Sequence, residues 1–288
     1  MPFDKYHALG NDYIVINPND VTESLTGDLI RLVCHRNYGI GSDGILLGPS
    51  KDAECDFGVR IYNPDGSEAE KSGNGLRIFT RYLRDKGMIG DDFIQIKTAG
   101  GRVRARIHPD IKTVTVDMGE VSFNSRKIPV IGPDREVLNE TIAVLGQTLL
   151  YCAATIGNPH CVVLKPQASA EEAKKWGPLI ENDSRFPNRI NVQFMKILDR
   201  SNIHIEIWER GAGYTLASGS SSCASAAVAH RLGKCDAQIT VHMPGGKINI
   251  EISGNFSISM TGDVTKVAEG VIDPEMFHTP ILLKTAND

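Results

Sequence analysis

Two stretches place a serine just ahead of a run that reads as a helix. One is "EKSGNGLRIFTRYL", residues 70–83, and the other is "LASGSSSCASAAVAHRL", residues 216–232. A helix start exposes unpaired N–H groups and a partial positive charge, so it binds anions. Gly73 and Gly219, directly after Ser72 and Ser218, let a ligand come close to the backbone. Two such starts facing each other across a cleft would hold one carboxylate from both sides. Ser72 and Ser218 would then flank the neighbouring carbon on opposite faces. That is the geometry for inverting a stereocentre: one group removes a proton and the other returns it to the opposite face. The same N–H groups would stabilise charge moving onto the carboxylate. A Ser-Gly start taken singly is an ordinary helix cap, and a doubled one also suits a binding module or a structural pseudo-dimer.

The elements that must position these serines are themselves written twice. Gly10-Asn11 recurs as Gly157-Asn158, 147 residues on, and Ser72-Gly73 as Ser218-Gly219, 146 on. The helix-stop glycines Gly87 and Gly233 are 146 apart, and Gly100-Gly101 and Gly245-Gly246 are 145 apart. A third strand follows in each copy, "TVTVDMG" and "SISMTG". A period this long predicts a duplicated domain rather than a solenoid. Leu76, Phe79 and Leu83, with Ile78 and Tyr82 beside them, give one helical face ending at Gly87. The second helix, rich in alanine from Ala224 to Ala229, is expected to pack more deeply. The helices are placed near Asn74 and Ser220, with a further one over 28–36. Alternating segments separated by glycine turns read as hairpins.

The fold class is therefore α+β: two pseudo-symmetric domains of one topology, each a mainly antiparallel sheet wrapped around a central helix. The first half is assigned 1–119 plus 265–288 and the second 120–264, with the site in the cleft between them. Repeat-bearing sequence in the second half resumes near Leu149, which leaves 120–148 as a connecting segment.

Bulk properties agree with a soluble protein and narrow its partners. Of 288 residues, 41% are hydrophobic and 23% charged, normal for a globular chain. A net charge of −4 gives no basic field for nucleic acid or anionic lipid. No apolar run approaches the ~20 residues of a membrane span. The start "MPFDKYHALG" has no apolar signal core. The six cysteines are scattered with no C-x-x-C pair, which points to reduced thiols in the cytoplasm and to no metal site.

At these residues the chain resembles the diaminopimelate epimerase family of cofactor-independent amino-acid epimerases and racemases. "HALGNDYIVI", "RNYGIGSDGIL", "NPDGSEAEKSGNGLR", "IGNPHCVVL", "RINVQF" and "ERGAGYTLASGSSSCA" stand in the family's order and spacing. The resemblance implies two similar halves, with the C-terminal tail returning to the first. It implies two-base proton exchange at Cα of a free amino acid, LL- to meso-diaminopimelate in lysine biosynthesis, with no cofactor and no metal. It implies that Gly73, Asn74, Gly219 and Ser220 give backbone donors to the reacting carboxylate. Glu209 and Asn11 would hold the ammonium. Arg210, with Asn63, Asn158 and Asn191, would grip the far carboxylate, and His160 either touches the site or packs in its loop. The family implies cysteine at both tips, where this chain has Ser72 and Ser218. A thiol ionises near ~8.5; a serine hydroxyl is many units weaker, and each unit costs about 1.4 kcal/mol. Three explanations stand: an inactivated variant, a branch whose serines work differently, or a binding protein without catalysis. A racemase of another polar amino acid and a homodimeric assembly are also left open.

Overall fold

A computed structural model describes residues 1–21 and 25–278. They divide into two compact units, one built from 1–112 with the residues from 264 onward, the other from 113–263.

The first unit opens with β1 (Pro2–Ala8) and β2 (Asn11–Ile16). Leu9 and Gly10 both have positive φ, 55° and 88°, which is the twist a two-residue hairpin turn demands. Then come α1 (Gly27–Cys34), β3 (Ile45–Ser50), β4 (Phe57–Tyr62), the short β5 (Glu68–Ala69), α2 (Gly73–Asp85), β6 (Ile94–Thr98) and β7 (Gly101–Ile107). β2 and β3 are parallel, with Ile14 opposite Ile45; β4 and β6 are parallel, with Phe57 opposite Ile96. The remaining ladders, β1–β2, β3–β4, β4–β5 and β6–β7, are antiparallel. α2 packs on β1, β2, β3 and β7 and buries Leu76, Ile78, Phe79, Tyr82 and Leu83, the residues whose spacing marks its apolar side.

The second unit repeats this order. After β8 (Thr113–Glu120) and β9 (Glu140–Val144) come β10 (Gln147–Thr155), β11 (Pro159–Leu164), α3 (Ala170–Glu181), β12 (Asn191–Asp199), β13 (Asn202–Glu209), β14 (Gly213–Thr215), α4 (Gly219–Arg231), β15 (Gln238–Met243), β16 (Gly246–Ile252) and β17 (Ser257–Asp263). Its parallel pairs are β11–β12 and β13–β15, the counterparts of β2–β3 and β4–β6. α4 packs on β10 to β13 and on β15 to β17. Its small residues Ser221 to Ala229 are all buried, so strands approach it from every side. The last strand, β18 (Thr265–Val271), belongs again to the first unit, where it lies antiparallel to β1.

The doubling reaches individual hydrogen bonds. Both central helices end on a glycine with φ near 70°, Gly87 at 69° and Gly233 at 67°. Gly87 N donates to Arg84 O and Met88 N to Leu83 O; Gly233 N donates to His230 O and Lys234 N to Ala229 O. These are paired Schellman closures. Gly100 N donates to Glu70 O and Gly245 N to Leu216 O, both at 2.8 Å, tying each hairpin turn to the strand leading into its helix.

The helices begin at Gly73 and Gly219, next to the expected Asn74 and Ser220, because the serines cap them. Two expectations are corrected. Residues 120–148 are no linker: Phe123, Ile128, Val130, Val137, Ile142 and Val144 are buried in the second unit. The seam falls at 112/113 and 263/264, not at 119/120 and 264/265, because β8 pairs with β17 from Thr113 to Glu120. Thr115 and Thr261, 146 residues apart, share a 2.7 Å hydroxyl contact there. The two "third strands" of the repeat are thus partners within one unit. Residues 279–288 of the expected first half lie outside the described residues.

α3 has no counterpart in the sequence reading. Its "AEEAKKWGPLIE" carries Gly177 and Pro178, which disguise a helix. Gly177 is there for space: a Cβ would lie 2.4 Å from Trp208 Cγ.

Candidate functional site

Each serine-headed helix start is built within its own unit. In the first, β5 runs into Ser72, which has extended backbone (φ −136°, ψ 117°) and caps α2. Its Oγ accepts the Gly75 N–H at 3.0 Å and lies 3.1 Å from Tyr13 Oη. The α-helical ladder leaves the N–H groups of Gly73 and Asn74 without a partner in the helix, as for any first turn. Asn74 donates through Nδ2 to Asn11 Oδ1 at 2.9 Å and accepts from the fully buried Arg77 at 2.5 Å. Asn11 in turn donates to Asp43 Oδ2 at 3.0 Å.

Asp43 and Asp12 anchor this chain of amides. Arg36 bridges both, at 2.7 and 2.8 Å, and Lys5 meets Asp12 at 3.0 Å. Burial opposes the charge on Asp12, but the hydrogen bonds from Arg36 and Lys5 outweigh it and hold its carboxyl below the usual range. Asn63 follows β4 and donates to Ser67 Oγ at 2.9 Å, a bond local to its turn rather than part of the Asn11–Asn74 chain.

In the second unit Ser218 (φ −146°, ψ 124°) caps α4, with Ser221 N donating to its Oγ at 3.4 Å. Ser222 Oγ donates to the Ser218 carbonyl at 2.8 Å. Asn158 Nδ2 donates to Ser220 Oγ at 3.2 Å. This repeats the Asn11–Asn74 contact of the first unit, since Asn158 and Ser220 are the counterparts of Asn11 and Asn74. In both halves the asparagine of the Gly-Asn turn reaches the second residue after the tip serine.

His160 does not reach into open space. It is fully buried, its Nε2 is 3.0 Å from Asn158 Oδ1, and burial lowers its pKa to about 3. It is therefore neutral, and the amide oxygen opposite requires the proton on Nε2. The parallel pairing of β11 with β12 sets His160 opposite Asn191. Asn191 donates to Pro159 O at 2.9 Å and accepts the Arg210 N–H at 3.0 Å. Arg210 Nη1 donates to Asn188 O at 2.9 Å, and the side chain is exposed. Glu209 is half-buried at the end of β13.

Two positions here escape sequence reasoning. Glu181, at the end of α3, is 3% exposed and accepts Trp208 Nε1 at 2.7 Å and Gly211 N at 2.9 Å, besides its ion pair with Arg189. It thereby brackets Glu209-Arg210 from both sides. Gln193 is fully buried and donates to Ser221 Oγ at 3.0 Å, bracing the first turn of α4. Glu181 lies in no motif, and Gln193, although inside "RINVQF", is not the residue for which that stretch stands out.

All six cysteines are free thiols. Burial raises Cys34, Cys152, Cys161 and Cys235, so these four stay protonated. Cys223 is fully buried inside α4. Among the described residues no three His, Cys, Asp or Glu side chains converge to hold a metal, and no helix is long and apolar enough to cross a membrane. A cavity of about 410 Å³ in the second unit is lined by Arg135, Glu140, Tyr151 and Arg185 among others. It contains none of the candidate residues. Its arginines are committed to Glu140 and Asp183, so it offers little free charge for an anion.

Comparison with known proteins shows the family of the chain. The family model for diaminopimelate epimerase matches residues 3–124 and 152–267. The chain is 61% identical over 277 residues to "Diaminopimelate epimerase 2" of Nostoc sp. (strain PCC 7120), covering 96% of this chain and 97% of that one. It is 38% identical to the diaminopimelate epimerase of Moorella thermoacetica, over 94% and 98% of the two chains. Among solved structures, a probable proline racemase from Agrobacterium radiobacter superposes with a TM-score of 0.71 at 16% identity, covering 96% of this chain and 94% of that one; that likeness speaks for the fold alone. Matched almost end to end by sequence, and carrying the repeated Gly-Asn turn and capped helix in both units, the chain belongs to the diaminopimelate epimerase family.

Proposed function

We propose that the chain is a cofactor-independent epimerase that exchanges the proton at Cα of diaminopimelate, converting the LL to the meso form in lysine biosynthesis. The observation that carries this reading is the repeated half-site: a serine-capped helix start braced by the asparagine of a Gly-Asn turn, once in each unit. Inversion needs one proton-transfer position on each face of a carbon, and a duplicated fold supplies two of one kind. The first-turn N–H groups of Gly73, Asn74, Gly219 and Ser220 would bind the reacting carboxylate and take up charge as the proton leaves. Asn11 and Glu209 would hold the ammonium, and Arg210 with Asn63, Asn158 and Asn191 the distal carboxylate. Ser72 and Ser218 would stand where the family's cysteines act. The serine that takes the α-proton must enter as its alkoxide and becomes a hydroxyl, while the other gives its hydroxyl proton to the opposite face of Cα and is left as the alkoxide, so atoms and charge balance.

One observation favours a second reading, an amino-acid-binding protein without turnover. Each tip hydroxyl accepts a backbone N–H as a helix cap, a role serine fills with no chemistry. Incubation with LL-diaminopimelate in D2O separates the two. Deuterium at Cα with appearance of the meso form supports the epimerase; tight binding with no deuterium over days sinks it.

A further inference from the structure

The two helix starts differ in what is set against the tip serine. Ser72 Oγ has a phenol against it, Tyr13 Oη at 3.1 Å, besides its cap bond from Gly75. In the second unit the position matching Tyr13 is His160, whose Nε2 turns to Asn158 instead. The Ser222 hydroxyl bonds the Ser218 carbonyl oxygen at 2.8 Å. Tyr13 is firmly placed. It is 6% exposed on β2, and Gly44 leaves the space its ring fills, since a Cβ there would lie 2.6 Å from ring carbon Cε1. The Ile14 N–H to Gly44 O bond at 3.1 Å locks the two strands at that point.

We propose that Tyr13 is the proton partner of Ser72, so that a proton leaving or reaching Ser72 Oγ passes through the Tyr13 hydroxyl. This rests on the epimerase reading and adds to it. When Ser72 protonates the substrate carbanion, the Oγ–H bond breaks as Cα–H forms. The Tyr13 Oη–H bond breaks as Oγ–H is remade, and the negative charge ends on the phenolate, which water reprotonates. The reverse step runs through the same bonds, with the phenolate taking the Ser72 proton as Oγ takes the α-proton. Without a partner the charge would rest on a serine alkoxide, whereas phenols ionise near 10. Tyr13 therefore acts on substrate only through Ser72. The Ser72 half should move protons faster than the Ser218 half, so exchange of the proton Ser72 handles should outrun inversion.

The experiment compares parent, Tyr13→Phe, Ser72→Cys and the Tyr13→Phe/Ser72→Cys double variant. Deuterium incorporation from D2O into LL- and meso-diaminopimelate is followed by mass spectrometry, with KM measured alongside. Phenylalanine keeps the ring against Gly44. The expected result is that Tyr13→Phe slows exchange about 100-fold or more with KM nearly unchanged, the scale of general acid–base help. In the Ser72→Cys background the same change costs less than about threefold, because a thiol carries its own charge. Equal losses in both backgrounds would mean Tyr13 only supports structure, and no loss in either would mean it does nothing; both overturn the proposal. A parent that exchanges no proton overturns it together with the epimerase reading. Exchange that is insensitive to Tyr13 overturns it alone.

Discussion

Arg210 is fixed at two points, its N–H by Asn191 and its Nη1 by the Asn188 carbonyl, and its side chain is exposed. The remaining guanidinium donors can take a carboxylate in the fork geometry that arginine favours. Replacing Arg210 by alanine should weaken diaminopimelate binding by about 1.5–3 kcal/mol, read by calorimetry; unchanged affinity would remove it from the site. Lysine there should recover only part, since it keeps the charge and loses the fork. His160 gives a prediction in pH. Burial lowers its folded pKa to about 3 from the ordinary 6.5, so between those values the unfolded chain holds the extra proton. Stability should then rise with pH across that window, with a slope from this group of up to about 1.4 kcal/mol per pH unit. Urea titrations of parent and His160→Gln should show the variant flatter from pH 6.5 down to 3. At the tips, Ser72→Cys with Ser218→Cys should raise stereoinversion in D2O. The helix starts already offer their N–H groups, and what serine lacks is an accessible basic form. Faster inversion by the parent than by the double variant would show that the serines serve a different mechanism.

Those same substitutions act on elements. Ser72 and Ser218 cap α2 and α4, so Ser72→Ala should cost roughly 1 kcal/mol of unfolding free energy. Ser218→Ala should cost less, since its cap bond is 3.4 Å against 3.0 Å. Equal, negligible losses would mean neither cap matters. In α3, Gly177→Ala sets a methyl against Trp208 and should destabilise by about 1–3 kcal/mol, with the Trp208 fluorescence shifted. The elements most legible in sequence were those with local signals. α2 shows its apolar side through Leu76, Phe79 and Leu83, and both central helices announce their ends at Gly87 and Gly233, where φ is positive. The hairpins β6–β7 and β15–β16 follow from alternation around paired glycines. What was hidden depends on distant partners. α3 carries a glycine that only Trp208 explains. Val130 and Ile128 are buried from a stretch without period, because irregular backbone there packs on the second unit's core. β8 reads as the end of the first copy until its partner β17 is seen 146 residues away at Thr115–Thr261. Among the candidate residues, Asn11 and Asn158 stand out as landmarks of the repeat, while their roles and those of Asn74 and Ser220 are read only from the family resemblance; Glu181 and Gln193 are singled out by neither.

At the scale of the whole chain, the second unit is one continuous stretch, 113–263, whereas the first needs both 1–112 and residues from 264 onward. A fragment of 113–263 should therefore fold by itself, with cooperative urea unfolding and resistance to protease. A fragment of 1–112 should not, because β1 would lack β18 on one side; a protease-resistant 1–112 would contradict this. The pairing of β1 with β18 also sets a timetable during synthesis. Met1 N and Ile272 O, hydrogen-bonded at 3.1 Å, are 271 residues apart. At ~5–20 residues per second a ribosome takes roughly 15–50 s to make that interval. For all that time one edge of β1 is bare, and a bare strand edge invites pairing with other nascent chains. β1 meets the wait with Pro2 near its start and Asp4 and Lys5 along it, the residue types that discourage such pairing. Asp4, later closed in by Lys86 and Lys266, thus has an earlier task as a guard on the unfinished chain.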